Sequence, residues 1–218
     1  IVQWVLIAAP LGVFALAFSL GATTGLEVGA FVAWYVIVQI IATLSLAALM
    51  YPLAIKSGLS FSAFSRGAAP SQAIAASTQS SLASLPVMVE AARRLGLPDR
   101  SAAVVLPLAV AVFRVAAPAS IVIVTLALSR IMGVELGLPQ LAIVMLMATL
   151  NTLVIAGLPN QITFFAAYAP PALAVGVPVE LLPIFLAIDA IPDIFYTVTN
   201  VTADLAVTSA VSGGPSAS

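Results

Sequence analysis

Residues 138–179 carry no Asp, Glu, Lys or Arg, a stretch about twice the roughly 20 residues that one helix needs to cross a bilayer. A soluble fold could not cover such a run, and one straight helix of that length would overshoot the membrane. The segment must therefore bend within it. Breakers stand where bends are needed: Ala156-Gly157-Leu158-Pro159-Asn160-Gln161 midway, then Pro170-Pro171 and Gly176-Val177-Pro178. The rest of the chain agrees, being 62% hydrophobic and 7% charged, against about 25% charged in soluble domains. An all-α, multi-pass membrane protein is expected. A net charge of −1 with seven scattered basic residues gives nucleic acid no patch to bind. With neither His nor Cys, thiol nucleophiles, disulfides, imidazole bases and the usual zinc sites are excluded, and no enzyme is expected.

Organisation follows from the charges and the breakers. Residues 1–20 and 28–55 are uncharged apolar runs separated by a turn at 21–27, so 1–66 is expected to hold two spanning helices and a loop with Lys56 and Arg66. The sequence opens on Ile1 within an apolar run, without Met or a charged leader. It is thus expected to be neither a signal peptide nor a natural start, with further helices upstream. Residues 68–92 are rich in Ser, Ala and Thr and contain Pro86, which suits two half-helices meeting at Ser80-Ser81-Leu82-Ala83-Ser84. A spanning helix over 101–129 carries Arg114 near its centre, and 212–218 reads as a disordered tail.

The loop charges set a topology. Loops 56–66 and 93–100 are both basic and so both face the cytoplasm, while 130–137 and 176–180 each carry a glutamate and lie outside. Segments 68–92 and 138–175 must then each enter and leave on one side, as re-entrant hairpins from opposite faces. The transport core over 67–211 becomes an inverted repeat, hairpin then helix (101–129), hairpin then helix (180–211). Broken helices meeting at the midplane are a common way to build a solute site.

The last helix carries the chemistry. Asp189, Asp193, Thr197, Asn200 and Asp204 follow one another at steps of four, four, three and four, which makes one polar stripe on an α-helix. Acids inside a membrane are costly and mark ion or solute paths. Arg114 costs about 2.5–3.5 kcal/mol at a helix centre on insertion scales and stays charged, so it needs an acid; Asp204 or Asp189 is the expected partner. Asp193 suits an ammonium group, or else neutralises Arg114. Ser80, Ser81 and Ser84 can offer hydroxyls and helix N-terminal amides to a carboxylate, or simply permit close packing. Gly157, Pro159, Asn160 and Gln161 form either a polar gate or only a turn. Tyr168, Trp4, Trp34 and Tyr35 are expected as interfacial anchors or packing.

These residues resemble the glutamate transporter family, the dicarboxylate/amino acid:cation symporters. The helix from Asp189 through Asn200-Val201-Thr202-Ala203-Asp204 is similar to that family's last-helix signature. Ser77-Thr78-Gln79-Ser80-Ser81-Leu82-Ala83-Ser84-Leu85-Pro86 resembles its first hairpin tip, and Ala156-Gly157-Leu158-Pro159 its second. Ala9-Pro10-Leu11-Gly12-Val13-Phe14-Ala15 resembles the start of its fifth helix. The resemblance implies an elevator-type fold from the fifth helix onward, without the first four helices, in a homotrimer in the cell membrane. It puts Asp193 at the substrate amine, Thr197 and Asn200 at the amine and α-carboxylate, Ser81 at another carboxylate contact, Asp204 at a sodium ligand, and Asp189 near the ion sites.

The departures shape the expected function. The family's Asn-Met-Asp-Gly-Thr sodium motif falls at Phe113-Arg114-Val115-Ala116-Ala117, so conventional sodium coupling is in doubt. Arg114 would stand in for the cation, and a proton is an open alternative. The arginine that reads a side-chain carboxylate falls at Tyr196, which favours a neutral amino acid. Asn160-Gln161-Ile162 replaces the flexible glycines of the second tip. The expectation is a secondary transporter of a small neutral amino acid, with no cofactor. A channel or a transport-dead binding protein on the same fold is the alternative, and a dicarboxylate transporter a third.

Overall fold

In the computed structural model the structure describes the backbone of residues 2–154 and 160–215, and side chains over 29–153 and 163–215. The described elements are α1 (Val2–Lys56), α2 (Phe61–Thr78), α3 (Ser81–Arg94), α4 (Asp99–Val112), α5 (Ala116–Ile131), α6 (Leu138–Val154), α7 (Asn160–Ala174), α8 (Leu182–Ile188) and α9 (Ala190–Val211). Among the described residues there is no strand. Two stretches, Gly29–Lys56 and Asp99–Ile131, are long and apolar enough to cross a membrane, and α8 with α9 makes a third if the bent pair is one span.

The turn expected over 21–27 is replaced by continuous helix. Its residues include two glycines but no proline, and a glycine costs a helix only about 1 kcal/mol. In the region expected as hairpin 1, α2 and α3 pack against each other around a two-residue turn, Gln79 and Ser80. Gln79 takes the left-handed conformation (φ 51°) that ends α2, and its Nε2 donates to the Ala190 carbonyl at 2.8 Å. Ser80 caps α3, accepting from the Ala83 amide.

The two long helices expected over 101–129 and 180–211 are both broken, and prolines explain both breaks. The expected helix over 101–129 divides into α4 and α5 at Phe113-Arg114-Val115. Pro118 has no N–H to give the Arg114 carbonyl four residues back, and its ring would clash with that carbonyl in a straight helix. The chain unwinds there, with Phe113 at φ −95° and ψ 78°. The last helix, expected unbroken over 180–211, bends by 70° between α8 and α9, where Pro192 deprives the Ile188 carbonyl in the same way.

By contrast, Pro170-Pro171 does not break α7, which runs on to Ala174. The two prolines strand the carbonyls of Ala166 and Ala167. Asn151 on α6 supplies both missing donors from one amide, Nδ2 reaching Ala166 O at 2.9 Å and Ala167 O at 2.7 Å. Helices with internal proline survive in lipid when a neighbour satisfies the freed groups.

Two apolar cores result. One joins the C-terminal part of α1 to α2, α3, α4 and α9 through Phe64, Met88, Leu106 and Leu205. The other joins α1 to α5, α7 and α8 through Tyr35, Leu128, Phe164 and Phe185. Each broken helix thus gives one half to each core. The first half of the 99–131 span and the second half of the 182–211 span pack with hairpin 1. The remaining halves pack with α6 and α7. Apolar side chains on α1 (Ile37, Ile41, Leu49) and α6 (Met145, Leu146, Leu150) face outward, as lipid contact requires.

The expected disordered tail is ordered as far as Pro215. The Gly214 amide donates to the Ser209 carbonyl at 2.9 Å, and Gly214 is buried at φ +86°. A Cβ there would lie 1.8 Å from the Ser57 carbonyl oxygen. Pro215 sits against Gly58 and Gly96, and Ser57 Oγ hydrogen-bonds Ser209 Oγ. The end of α9 is thereby fastened to the α1–α2 and α3–α4 turns.

Candidate functional site

α9 holds the polar residues, and it is buried nearly all round. Asp193, Thr197, Asn200 and Asp204 are each 2% exposed or less. Its other faces are lined by Thr199, which donates to the Thr43 carbonyl on α1 at 2.9 Å, and by Thr202, which accepts from Gln72 on α2 at 2.8 Å. The expected single stripe is therefore the interior of a central helix. Asp189 leaves the stripe: it lies at the bend, buried, just before α9.

Asn200 connects the two breaks. Its Oδ1 accepts from the Ala116 amide at 3.1 Å, an amide that lost its helical partner when the chain unwound at 113–115. Its Nδ2 lies toward the Tyr196 side chain but makes no hydrogen bond of ordinary geometry among the described residues. One end of this side chain thus holds the start of α5 while the other is a donor beside Tyr196. Among the described residues, both oxygens of Asp193 and both of Asp204 are buried without a hydrogen bond.

Arg114 does not pair with Asp204 as expected. Among the described residues the side-chain ion pairs are Arg93–Asp99 and Arg94–Glu90, both exposed. The unwound backbone carries the guanidinium over the Tyr196 ring, 5.3 Å from its centroid, where cation–π attraction holds it. Asp193 and Asp204 lie within its electrostatic reach but not in contact. A straight helix at this point, assumed from sequence, would have aimed the arginine differently.

Arg114 lines a constricted cavity of about 10 Å³ with Ala117, Ile121, Thr152, Thr163, Ala167, Tyr168 and Tyr196. Such a space holds about one water. Ser80 and Ser84 spend their hydroxyls inside hairpin 1, on the Ala83 amide and the Ser80 carbonyl; Ser81 opens α3 half-buried. Gly157, Pro159 and the side chains of Asn160 and Gln161 lie outside the described residues, as does the side chain of Trp4.

Of the two roles expected for Tyr35 and Tyr168, anchor or packing, the structure shows packing. The two side chains are 0% and 2% exposed and belong to a buried polar array with Gln39 and Ser120. Gln39 Nε2 donates to Tyr35 Oη at 3.1 Å and to Ser120 Oγ at 2.9 Å, and Ser120 Oγ lies 2.8 Å from Tyr168 Oη. Trp34 does fit the anchor role, exposed and covered by Arg130 at 5.8 Å. Sequence reasoning missed Gln39, Ser120, Thr152 and Thr163; their only signal was a polar side chain within an uncharged run.

Apolar helices around the buried carboxylates of α9, with a half-buried guanidinium at the break of a neighbouring span, are the make-up of a membrane transport protein. Over residues 1–213 the sequence matches the sodium:dicarboxylate symporter family, and the chain belongs to that family. It is a family of transporters rather than enzymes.

Proposed function

We propose that the protein is a secondary transporter carrying a small amino acid across the cell membrane, as a homotrimer, by an elevator motion of its hairpin core. Asp193 carries the amino-acid part of this reading. It is buried on the central helix, and neither oxygen has a hydrogen-bond partner. An ionised carboxylate so placed is costly, and a compact ammonium is its natural complement. Asn200 Nδ2, two turns along α9, beside Tyr196 and without a hydrogen bond of ordinary geometry among the described residues, suits the α-carboxylate. Tyr196 at the position of the side-chain-reading arginine favours a neutral side chain.

Coupling is best assigned to a mobile cation at Asp204. Its oxygens have no hydrogen bond and Arg114 does not pair with it, which leaves a proton or a single sodium ion to balance it. The role of fixed sodium substitute then narrows to a long-range field from Arg114. A second reading is supported by Arg114 itself. It lines the cavity without an ion pair, so an acidic amino acid or dicarboxylate could place its second carboxylate there.

Uptake into liposomes, with serine, alanine, glutamine and aspartate as competing solutes under sodium or proton gradients, tests these readings. Saturable uptake lost in Asp193→Asn, with the fold intact, is the expected result. Aspartate outcompeting all neutral solutes selects the second reading. Ion conductance without solute flux refutes a carrier.

A further inference from the structure

Behind the cavity wall, the array of Gln39, Ser120 and Tyr168 has a hydrogen-bond direction that can be worked out from its geometry. Gln39 is 1% exposed, and one atom of its amide contacts two hydroxyl oxygens while the other contacts nothing. If the contacting atom is nitrogen, one carbonyl oxygen is left bare. If it were oxygen, two N–H donors would be left bare in the interior, which costs more. The nitrogen therefore faces the hydroxyls, and Ser120 Oγ accepts from Gln39. Apart from Gln39, the hydrogen-bond contact of the Ser120 hydroxyl is Tyr168 Oη, so its proton goes there. Tyr168 then accepts from Ser120, and its own proton is turned away from Ser120; Tyr168 also lines the cavity, together with Arg114.

We propose that Gln39 is a positioning residue that acts through Ser120 to make Tyr168 a hydrogen-bond donor into the solute cavity, so that the site selects solutes whose side chain carries an acceptor oxygen. This rests on reading the cavity as the solute site. The neighbouring guanidinium, also a pure donor, points to the same preference. A site built to hydrogen-bond an oxygen discriminates strongly against the analogue that lacks it.

The test uses isosteric pairs, threonine against valine and asparagine against leucine, in competition binding to the purified full chain. Wild type is expected to favour the oxygen-bearing member by about tenfold, typical of one well-made buried hydrogen bond. Tyr168→Phe, which removes only the hydroxyl, and Gln39→Leu are each expected to reduce that ratio to about threefold or less. Gln39→Glu accepts where glutamine donates, which turns Ser120 and then Tyr168 around, and it should reduce the ratio likewise. A merely structural role would change melting temperature and overall affinity without moving the ratio. An unchanged ratio in Tyr168→Phe and Gln39→Glu overturns the inference alone. If none of these amino acids and no dicarboxylate binds wild type, the reading of the cavity falls, and the inference with it.

Discussion

Asn151 is the clearest place to test whether the proline-freed carbonyls of α7 govern its stability. Its Nδ2 is donated at 2.9 and 2.7 Å to the carbonyls of Ala166 and Ala167, four residues before Pro170 and Pro171. Asn151→Leu removes both bonds and leaves two carbonyls facing hydrocarbon. Interhelical hydrogen bonds in membranes average about 0.6 kcal/mol and reach about 1.7, so the pair is worth about 1–3 kcal/mol. At about 2–4 °C per kcal/mol for a chain of this size, detergent-solubilised protein should melt about 2–12 °C lower. The decisive arm is rescue. Pro170→Ala with Pro171→Ala restores two amides able to reach the same carbonyls within the helix. In that background Asn151→Leu should cost almost nothing. An equal drop in both backgrounds would show that Asn151 acts by packing and that the stranded carbonyls are irrelevant.

Two further substitutions probe the ends of the central helix. Gly214→Ala forces a Cβ to within 1.8 Å of the Ser57 carbonyl oxygen at a positive φ; the left-handed conformation alone costs about 1–2 kcal/mol, so the melting temperature should fall by at least about 3 °C, while Gly213→Ala, with positive φ but open space around it, should cost less. Asn200→Asp keeps an acceptor for the Ala116 amide but loses the Nδ2 donor and adds a buried acid one turn from Asp204, so it should lower stability and abolish solute binding in a thermal-shift assay. Asn200→Leu should lose both, with about 1–3 kcal/mol of stability removed by the stranded buried amide.

The parts of the fold visible in the sequence were those written in side-chain type. Hairpin 1 was legible from its serines and Pro86, and the polar character of α9 from the spacing of Asp193, Thr197, Asn200 and Asp204. The parts that stayed hidden depend on which backbone groups go unsatisfied and who reaches them. Pro118 and Pro192 bend or unwind their helices, yet Pro170-Pro171 does not, because Asn151 answers both lost amides. Nothing local to the prolines announces that difference. The same holds for Arg114: its residue type demanded a partner, but only the unwound backbone turns it over Tyr196 instead of toward Asp204. For Tyr35 and Tyr168 the sequence leaves anchor and packing open, because an aromatic with a hydroxyl suits a membrane interface and a buried polar array equally well; burial selects packing.

The fastening of Gly214 and Pro215 has a practical consequence for topology mapping. A reporter joined directly after Pro215 emerges beside Gly58 and Gly96, in the company of Lys56, Arg93 and Arg94. Its fluorescence or phosphatase activity would therefore assign the side of both arginine- and lysine-bearing turns in one measurement, and the linker must leave the glycine pair undisturbed.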